Sequence, residues 1–211
     1  MTIQWLGHSC FLITSSDGRT LLTDPFDETV GYALPKVPAN VVTCSHDHFD
    51  HHAIQPLPNG YTVIDTPGTH HNHGFVVEGI PSFHDEKQGS LRGSNIIYKF
   101  QVDGLKVAHM GDLGHLPTKA MEEQLQGIDI MLLPVGGVYT VDGDQAAQIV
   151  EMVKPRLVIP MHYRTDELRF ELNGPEAFLR HFDHRELNSD RVEINAENIG
   201  DYAPVLVLSY K

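Results

Sequence analysis

The segment Ser45-His46-Asp47-His48-Phe49-Asp50-His51-His52 follows directly on the apolar run Asn40–Cys44, which is typical of a buried strand. It contains the pattern H-x-H-x-D-H, formed by His46, His48, Asp50 and His51. So short a chain cannot easily aim all four side chains at one ion. Two neighbouring ions resolve this, with His46 and His48 facing one and Asp50 and His51 the other. Imidazole and carboxylate ligands suit zinc first, with manganese, nickel or iron as alternatives.

Other polar residues occur in the same setting, each just after an apolar run. They are Asp24, His84, Asp112 and His162. The carboxyl ends of strands are where α/β proteins gather their sites. The pattern therefore predicts one pocket in which these residues meet the histidine segment.

Composition limits the classes of partner. The chain has 211 residues, 14 of them histidines, and a formal net charge of −13. So acidic a surface repels phosphate backbones, which argues against nucleic acid or an anionic membrane as a partner. No signal peptide and no apolar stretch of membrane-spanning length is visible, so we expect a cytoplasmic protein. Two cysteines, Cys10 and Cys44, are too few for a disulfide scaffold and are predicted to be buried free thiols.

Apolar runs and turn residues outline the elements. Asp17-Gly18 and Asp103-Gly104 predict two hairpins. Asp142 followed by Gln145 predicts a capped helix over 142–153. Further helices are expected over 118–126 and 175–182. Strands are expected over 10–14, 19–24, 40–44, 61–65, 74–77, 80–83, 94–102, 105–110, 128–133, 156–159, 191–194 and 205–209. Strands with interleaved helices in the second half indicate an α/β class.

Five motifs, in this order, resemble those of the metallo-β-lactamase-fold superfamily. They are Leu21-Leu22-Thr23-Asp24-Pro25, the H-x-H-x-D-H segment, Pro81-Ser82-Phe83-His84, His109-Met110-Gly111-Asp112 and Ile159-Pro160-Met161-His162-Tyr163. Trp5-Leu6-Gly7-His8-Ser9 and Leu133-Pro134-Val135-Gly136-Gly137 resemble the compact branch of metal-dependent hydrolases. That branch is similar to ascorbate-phosphate lactonases and to phospholipase-D-type enzymes that cleave N-acylethanolamine phospholipids. The resemblance implies a four-layer αβ/βα sandwich that occupies residues 1–211 as one domain.

The resemblance also implies the roles of the site residues. His46, His48 and His84 would hold the first metal, Asp50, His51 and His162 the second, and Asp112 would bridge the two. Asp24 would orient the histidine segment through hydrogen bonds.

The implied chemistry is hydrolysis by a hydroxide shared between two divalent cations, which lower the pKa of a bound water. Asp50 would orient this nucleophile and pass its proton to the leaving group, so Asp50 and Asp112 are the expected catalytic residues. A small ester, lactone or phosphodiester is the expected substrate. Two alternatives stay open: a single-iron oxidoreductase of the persulfide-dioxygenase type, and a metal-binding module without catalysis.

Several residues beyond the ligands have two interpretations. His8, Arg92, Asn95 and His115 are candidate substrate-binding residues, and each could instead belong to a turn or a solvated loop. The remaining polar clusters are expected to be structural. We interpret His70, His71 and His73 as a polar turn, His181 and His184 as part of a surface helix, and Asp85-Glu86 as a solvated loop. The sequence leaves the oligomeric state open, including a homo-oligomer.

Overall fold

A computed structural model describes residues 1–202 and 204–210, which form two mixed β-sheets with few helices. The strands are β1 (Thr2–Gly7), β2 (Cys10–Thr14), β3 (Thr20–Thr23), β4 (Val41–Thr43), β5 (Thr62–Ile64), β6 (Gly68–Asn72), β7 (Phe75–Phe83), β8 (Ser94–Val102), β9 (Leu105–His109), β10 (Ile130–Pro134), β11 (Leu157–Met161), β12 (His184–Leu187), β13 (Arg191–Glu193) and β14 (Val205–Leu208). The helices are α1 (Lys119–Gln124), α2 (Gly143–Val153) and α3 (Glu176–Leu179), with a 3-10 turn at Ile199–Asp201.

The six-stranded sheet has the order β13-β1-β2-β3-β4-β5, and the eight-stranded sheet has the order β12-β14-β11-β10-β9-β8-β7-β6. In the first sheet, β3, β4 and β5 run parallel. In the second sheet, β9, β10, β11, β14 and β12 run parallel, while β6 to β9 form an antiparallel meander. The predicted α/β sandwich is therefore confirmed.

Alternation along the strands assigns each face of the six-stranded sheet to a different core. Leu21 and Val41 belong to the large cluster between the sheets, whereas their neighbours Leu22 and Val42 belong to a smaller cluster with Phe26. Successive side chains of a strand point to opposite faces, so the sheet is covered on both sides. In the described chain, the segments that cover its outer face are not helical, because residues 25–39 and 53–57 form turns and extended stretches.

Local signals placed most elements correctly. The two Asp-Gly hairpins are present, with β2 pairing β3 and β8 pairing β9 antiparallel. Asp142 caps α2 through a complete capping box with Gln145. Cys10 and Cys44 are buried free thiols, as predicted. The two strands expected over 74–77 and 80–83 are instead one continuous strand, β7, which begins at Phe75.

Three strands are missing from the prediction, and two of them correct the interpretation of histidines. His70 and His71 lie in β6, an edge strand of the eight-stranded sheet, and not in a polar turn. His184 begins β12 at the opposite edge and is not helical. Edge strands carry many polar side chains, so their sequences lack the apolar alternation by which strands are recognised. The third missing strand is β1, where the sequence predicts a family motif and no strand.

Candidate metal centre

Six chain segments meet at one end of the two sheets. Each segment leaves a strand: His8 follows β1, Asp24 follows β3, the histidine segment follows β4, His84 follows β7, Asp112 follows β9 and His162 follows β11. His8, Asp24 and His162 have positive φ angles of 52°, 38° and 51°. Non-glycine residues rarely adopt this conformation, and those that do are concentrated at functional sites. The predicted convergence of polar strand ends is therefore present in the structure.

Three histidines form the first cluster, with one nitrogen from each of His46, His48 and His84 within 4.8 Å of the others. The hydroxyl of Ser45 donates to Asp24 Oδ2 at 2.6 Å, so its oxygen is left to accept from His46 Nδ1 at 3.0 Å. His46 then carries its proton on Nδ1, and its Nε2 lone pair faces His48 Nδ1 at 2.9 Å. This pair of nitrogens is oriented as metal ligands would be.

Asp50, His51 and His162 form a second cluster, which His8 joins. His51 Nδ1 donates to Asp24 Oδ2 at 2.8 Å, so the lone pair of a neutral His51 lies on Nε2. That Nε2 faces Asp112 Oδ2 at 3.2 Å and Asp50 Oδ2 at 3.4 Å. It has no well-formed hydrogen bond within the described residues. A lone pair aimed at two carboxylates is repulsive unless a cation or a proton lies between them.

Asp112 stands between the two clusters. Its Oδ2 lies 3.1 Å from His84 Nε2, 3.1 Å from His162 Nε2 and 3.2 Å from His51 Nε2. Its Oδ1 is buried without a hydrogen-bond partner in the part of the chain that the structure describes. One carboxylate thus faces imidazoles of both clusters, which is the position a bridging ligand needs.

Burial and charge define the protonation of the site. Burial lowers the pKa of His46 to about 3 and, with His162, that of His8 to about 4, so both are neutral at pH 7. Burial would also lower the pKa of His51, but the carboxylates of Asp112 and Asp50 outweigh it and raise that pKa well above its usual value. Burial opposes ionisation of Asp112, yet His162 and His51 hold its pKa well below the usual range. The cluster therefore has excess negative charge that a cation can balance, and its donors fit divalent metals such as zinc.

His8 lies deeper in the site than a residue at a pocket mouth would. It is fully buried, and its Nε2 lies 3.1 Å from Asp50 Oδ2. Its backbone oxygen accepts from the indole nitrogen of Trp5 at 2.9 Å and from the backbone nitrogen of His162 at 3.3 Å. His8 therefore holds both a carboxylate and a strand end of the second cluster.

Two candidate substrate-binding residues are used differently from the prediction. Asn95 is fully buried: its Oδ1 accepts from the backbone nitrogen of Asp112 at 2.8 Å, and its Nδ2 donates to Ser82 and to Met110. It therefore orients Asp112 instead of facing a substrate. His115 Nε2 accepts a hydrogen bond from the backbone N–H of Phe83, and its Nδ1 donates one to the backbone oxygen of Leu116. His115 lines a separate cavity. Short-range sequence pattern could not reveal these partners.

Arg92 does line the cavity at the metal centre, together with three aromatic residues that the sequence pattern does not predict there: Phe49, Tyr139 and Phe170. They lie on loops far apart in the chain.

The neighbouring Gly111 shows how tightly the site is packed, because a Cβ at this position would collide with Asn95 and Ser45. Its φ of 56° also favours glycine.

Comparison with known proteins identifies the family. The β-lactamase superfamily domain matches residues 2–162. The chain belongs to this superfamily. It is 36% identical to a Thermotoga maritima protein assigned as a Zn-dependent hydrolase of the metallo-β-lactamase superfamily, with a TM-score of 0.83 over 100% of this chain and 99% of that one.

Sequence relatives agree with this placement. A UPF0173 protein of Pyrococcus furiosus is 29% identical over 96% of this chain and 98% of its own length. A UPF0173 metal-dependent hydrolase of Methanoculleus marisnigri is 31% identical over 78% of this chain and 82% of its own. This β-lactamase superfamily member is therefore a metal-dependent hydrolase. In the described part of the chain, no helix is both long and apolar enough to cross a membrane.

Proposed function

We propose that this hydrolase binds two divalent cations and cleaves a small ester, lactone or phosphodiester. His46, His48 and His84 would hold one cation, and Asp50, His51 and His162 the other, with Asp112 between them. The observation that carries the proposal is the Asp112 carboxylate, which faces three imidazole nitrogens drawn from both clusters. When bound, the cations would act as Lewis acids and make a water nucleophilic at neutral pH.

Asp50 is the residue of this chain that we expect to handle the nucleophile. It lines the cavity, and the imidazole of His8 donates to its Oδ2. Burial opposes its ionisation, but the nearby His51 and His8 hold its pKa below the usual range, so it is a carboxylate at neutral pH. A carboxylate accepts a hydrogen bond from the attacking water and can transfer the proton to the leaving oxygen as the ester bond breaks.

The experiment is metal analysis combined with hydrolysis of bis-p-nitrophenyl phosphate, lactones and thioesters by the metal-loaded protein. We expect two ions per chain, and we expect His48→Ala and Asp112→Ala each to lose bound metal and hydrolysis together. His181→Ala, at an exposed position away from the clusters, is the matched control. Two ions per chain in both site variants would overturn the ligand assignment. One iron per chain, with oxygen consumed on a thiol substrate, would instead establish the oxidoreductase alternative.

We further propose that residues 1–211 act as one hydrolase domain on a small molecule in the cytoplasm. The net charge of −13 disfavours long polyanions, although two bound cations would dominate the local field where a substrate arrives. Activity on the small substrates above with none on RNA or vesicles is the expected result. Equal activity on a nucleic acid would contradict this part of the proposal.

A further inference from the structure

The cavity beside the metal centre has a volume of about 310 Å³. Its walls combine the clustered ligands with an aromatic surface formed by Phe49, Tyr139 and Phe170. Phe49 belongs to the histidine segment, Tyr139 to the loop after β10 and Phe170 to the loop after β11. The volume is at the lower end of the range for small-molecule sites, so a compact ligand fits it.

The aromatic side chains are unusually accessible for their size. Phe49 is 53% exposed and Tyr139 38%, and the adjacent Val138 is 49% exposed. The Phe170 ring is edge-to-face with both, and its centroid lies 6.5 Å from that of Phe49 and 6.2 Å from that of Tyr139. Contiguous apolar surface around a cavity indicates a ligand-binding role. Aromatic side chains pack favourably against another ring in either offset-stacked or edge-to-face contact, so a flat apolar group suits this surface.

One cation faces this aromatic surface. The Arg92 guanidinium lies over the Tyr139 ring, with Cζ 5.6 Å from the centroid, and donates to the backbone oxygen of Val138 at 3.2 Å. Within the described residues, four of the eight arginines form ion pairs with carboxylates, namely Arg19, Arg156, Arg180 and Arg191. Of the four arginines outside such pairs, Arg92 is the one that lines this cavity. In a chain with 28 acidic and 15 basic residues, a cation left without a carboxylate at a cavity is available to an anionic ligand.

The loop that carries Arg92 is held in one conformation by Asp85. The carboxylate of Asp85 accepts four backbone N–H groups, from Lys87, Gly89, Leu91 and Arg92. The guanidinium is therefore presented from an ordered loop as well as being oriented by Val138 and Tyr139. A preorganised cation loses less entropy when it binds an anion.

We infer that this cavity selects substrates with two features besides the bond to be cleaved: a flat apolar group, aromatic in the simplest case, and one carboxylate or phosphate group that pairs with Arg92. This inference rests on the proposed function and specifies its substrate class. Arg92 binds the anionic group, and Phe49, Tyr139 and Phe170 cover the ring. Arg92 is thus a residue that determines specificity, and the metal ligands carry the chemistry.

The test measures binding to the metal-loaded protein by calorimetry with three probes that contain no ester, lactone or phosphodiester bond. These are 2-naphthoate, with a ring and a charge, 2-naphthamide, with the same ring and no charge, and acetate, with the charge alone. We expect 2-naphthoate to bind about tenfold or more tightly than either of the others, as a charge-assisted hydrogen bond implies. Equal binding of 2-naphthoate and 2-naphthamide would overturn the inference.

Variants separate Arg92 from the metals as the anion's partner. Arg92→Gln should lower the affinity for 2-naphthoate to that for 2-naphthamide, and should leave the affinity for 2-naphthamide unchanged. Phe170→Leu should lower the affinity for both compounds. Arg185→Gln is the matched control, because Arg185 also stacks on a tyrosine, Tyr202, but does not line this cavity. If Arg92→Gln keeps the full preference for 2-naphthoate, the carboxylate binds elsewhere and the inference is wrong.

Metal content measured on the same samples keeps the two proposals apart. Two ions per chain with no effect of Arg92→Gln would overturn the subsite alone. Fewer than two ions per chain, with the Arg92-dependent preference intact, would overturn the dinuclear assignment and leave the subsite standing.

Discussion

At the scale of single residues, Asp24 organises the candidate metal centre without facing the cavity. Its Oδ1 accepts from the backbone nitrogen of Ser45 at 2.8 Å, and its Oδ2 accepts from the Ser45 hydroxyl and from His51 Nδ1. Through these bonds it sets which nitrogen of His46 and of His51 carries the proton. One buried carboxylate thereby leaves Nε2 as the nitrogen of His46 and of His51 that faces the candidate ligands of its cluster.

We therefore expect Asp24→Asn to weaken metal binding by roughly 10–100-fold, as is typical for a hydrogen-bond partner of metal ligands. Asparagine tolerates the positive φ at this position. Its side chain has one accepting oxygen in place of two, so it cannot accept all the hydrogen bonds that Ser45 and His51 donate to Asp24. Competition with a chelator measures the affinity. Asp27→Asn is the control, because the Asp27 carboxylate accepts hydrogen bonds from Thr29 and not from a residue of the metal centre. Unchanged affinity in Asp24→Asn would contradict the orienting role.

His8 offers a second prediction at this scale. His8→Asn keeps a residue that accepts φ of 52° but shortens the side chain, so that the bond to Asp50 is lost. Because Asp50 belongs to only one of the two clusters, we expect one of the two ions to be lost preferentially. Metal content after dialysis should approach one ion per chain, with His73→Asn, a turn histidine of similar φ, retaining two. Simultaneous loss of both ions would show that His8 supports the whole centre.

At the scale of elements, the loop from Asp85 to Arg92 corrects the view of Asp85-Glu86 as a solvated pair. Asp85 is buried, and its two oxygens accept from four backbone N–H groups. Burial opposes its ionisation, but these four groups outweigh it and lower its pKa. A single side chain therefore adds four hydrogen bonds to the backbone bonds that the loop makes itself, from Ser90 to Lys87 and from Gly93 to Gly89.

Asp85→Asn should lower the free energy of unfolding, because the amide NH₂ of asparagine faces backbone N–H groups that need an acceptor. A lowered carboxyl pKa contributes stability that is present above the unfolded pKa, about 3.9, and lost as the pH falls through the lower folded value. The variant should therefore lose less stability than the wild type on acidification. Urea unfolding at several pH values measures this, with Glu86→Gln as the exposed neighbouring control. A variant as stable as the wild type at pH 7 would contradict this role.

Helix α2 provides a further prediction for an element. Asp142 accepts from the backbone nitrogen of Gln145 at 2.9 Å, and the Gln145 side chain accepts from the backbone nitrogen of Asp142 at 3.1 Å. Asp142→Ala should lower the free energy of unfolding by about 1 kcal/mol, the usual effect of removing an N-cap. Glu151→Ala, on the exposed face of the same helix, is the control. Equal stability of both variants would mean that packing alone holds the helix start.

At the scale of the whole molecule, the candidate ligands come from both sheets. Asp50 and His51, with His46 and His48, follow β4 of the six-stranded sheet. His84, Asp112 and His162 follow β7, β9 and β11 of the eight-stranded sheet. Metals bound at this edge would therefore connect the two sheets directly.

Removing metal should accordingly lower the stability of the whole protein. A ligand at about 100 times its dissociation constant adds about 2.7 kcal/mol, which corresponds to roughly 5–10 °C in the unfolding temperature of a chain of this size. Calorimetry with and without a chelator measures the difference. Asp112→Ala should abolish the difference, and His181→Ala should keep it. A wild-type unfolding temperature that does not respond to chelation would contradict the cross-linking role.

Signals close together in the chain sufficed for most strands, both Asp-Gly hairpins, the cap of α2 and the segment rich in ligands. These features depend on backbone preferences and apolar alternation within a few residues of each other. The sequence does not predict the strands β6 and β12, because an edge strand is specified by the strand it pairs with. Strand β6 pairs with β7, and β12 pairs with β14 from further along the chain.

Tertiary structure alone decided how the site is completed. His8 contacts Asp50, which lies 42 positions later in the sequence, and Asn95 contacts Asp112, which lies 17 positions later. The cavity is lined by Arg92 together with aromatic residues of three loops. Ligand types and their order can be read from the sequence because a metal demands particular atoms. Their partners cannot, since a hydrogen bond or an aromatic contact needs only the distance and direction that folding of both sheets creates.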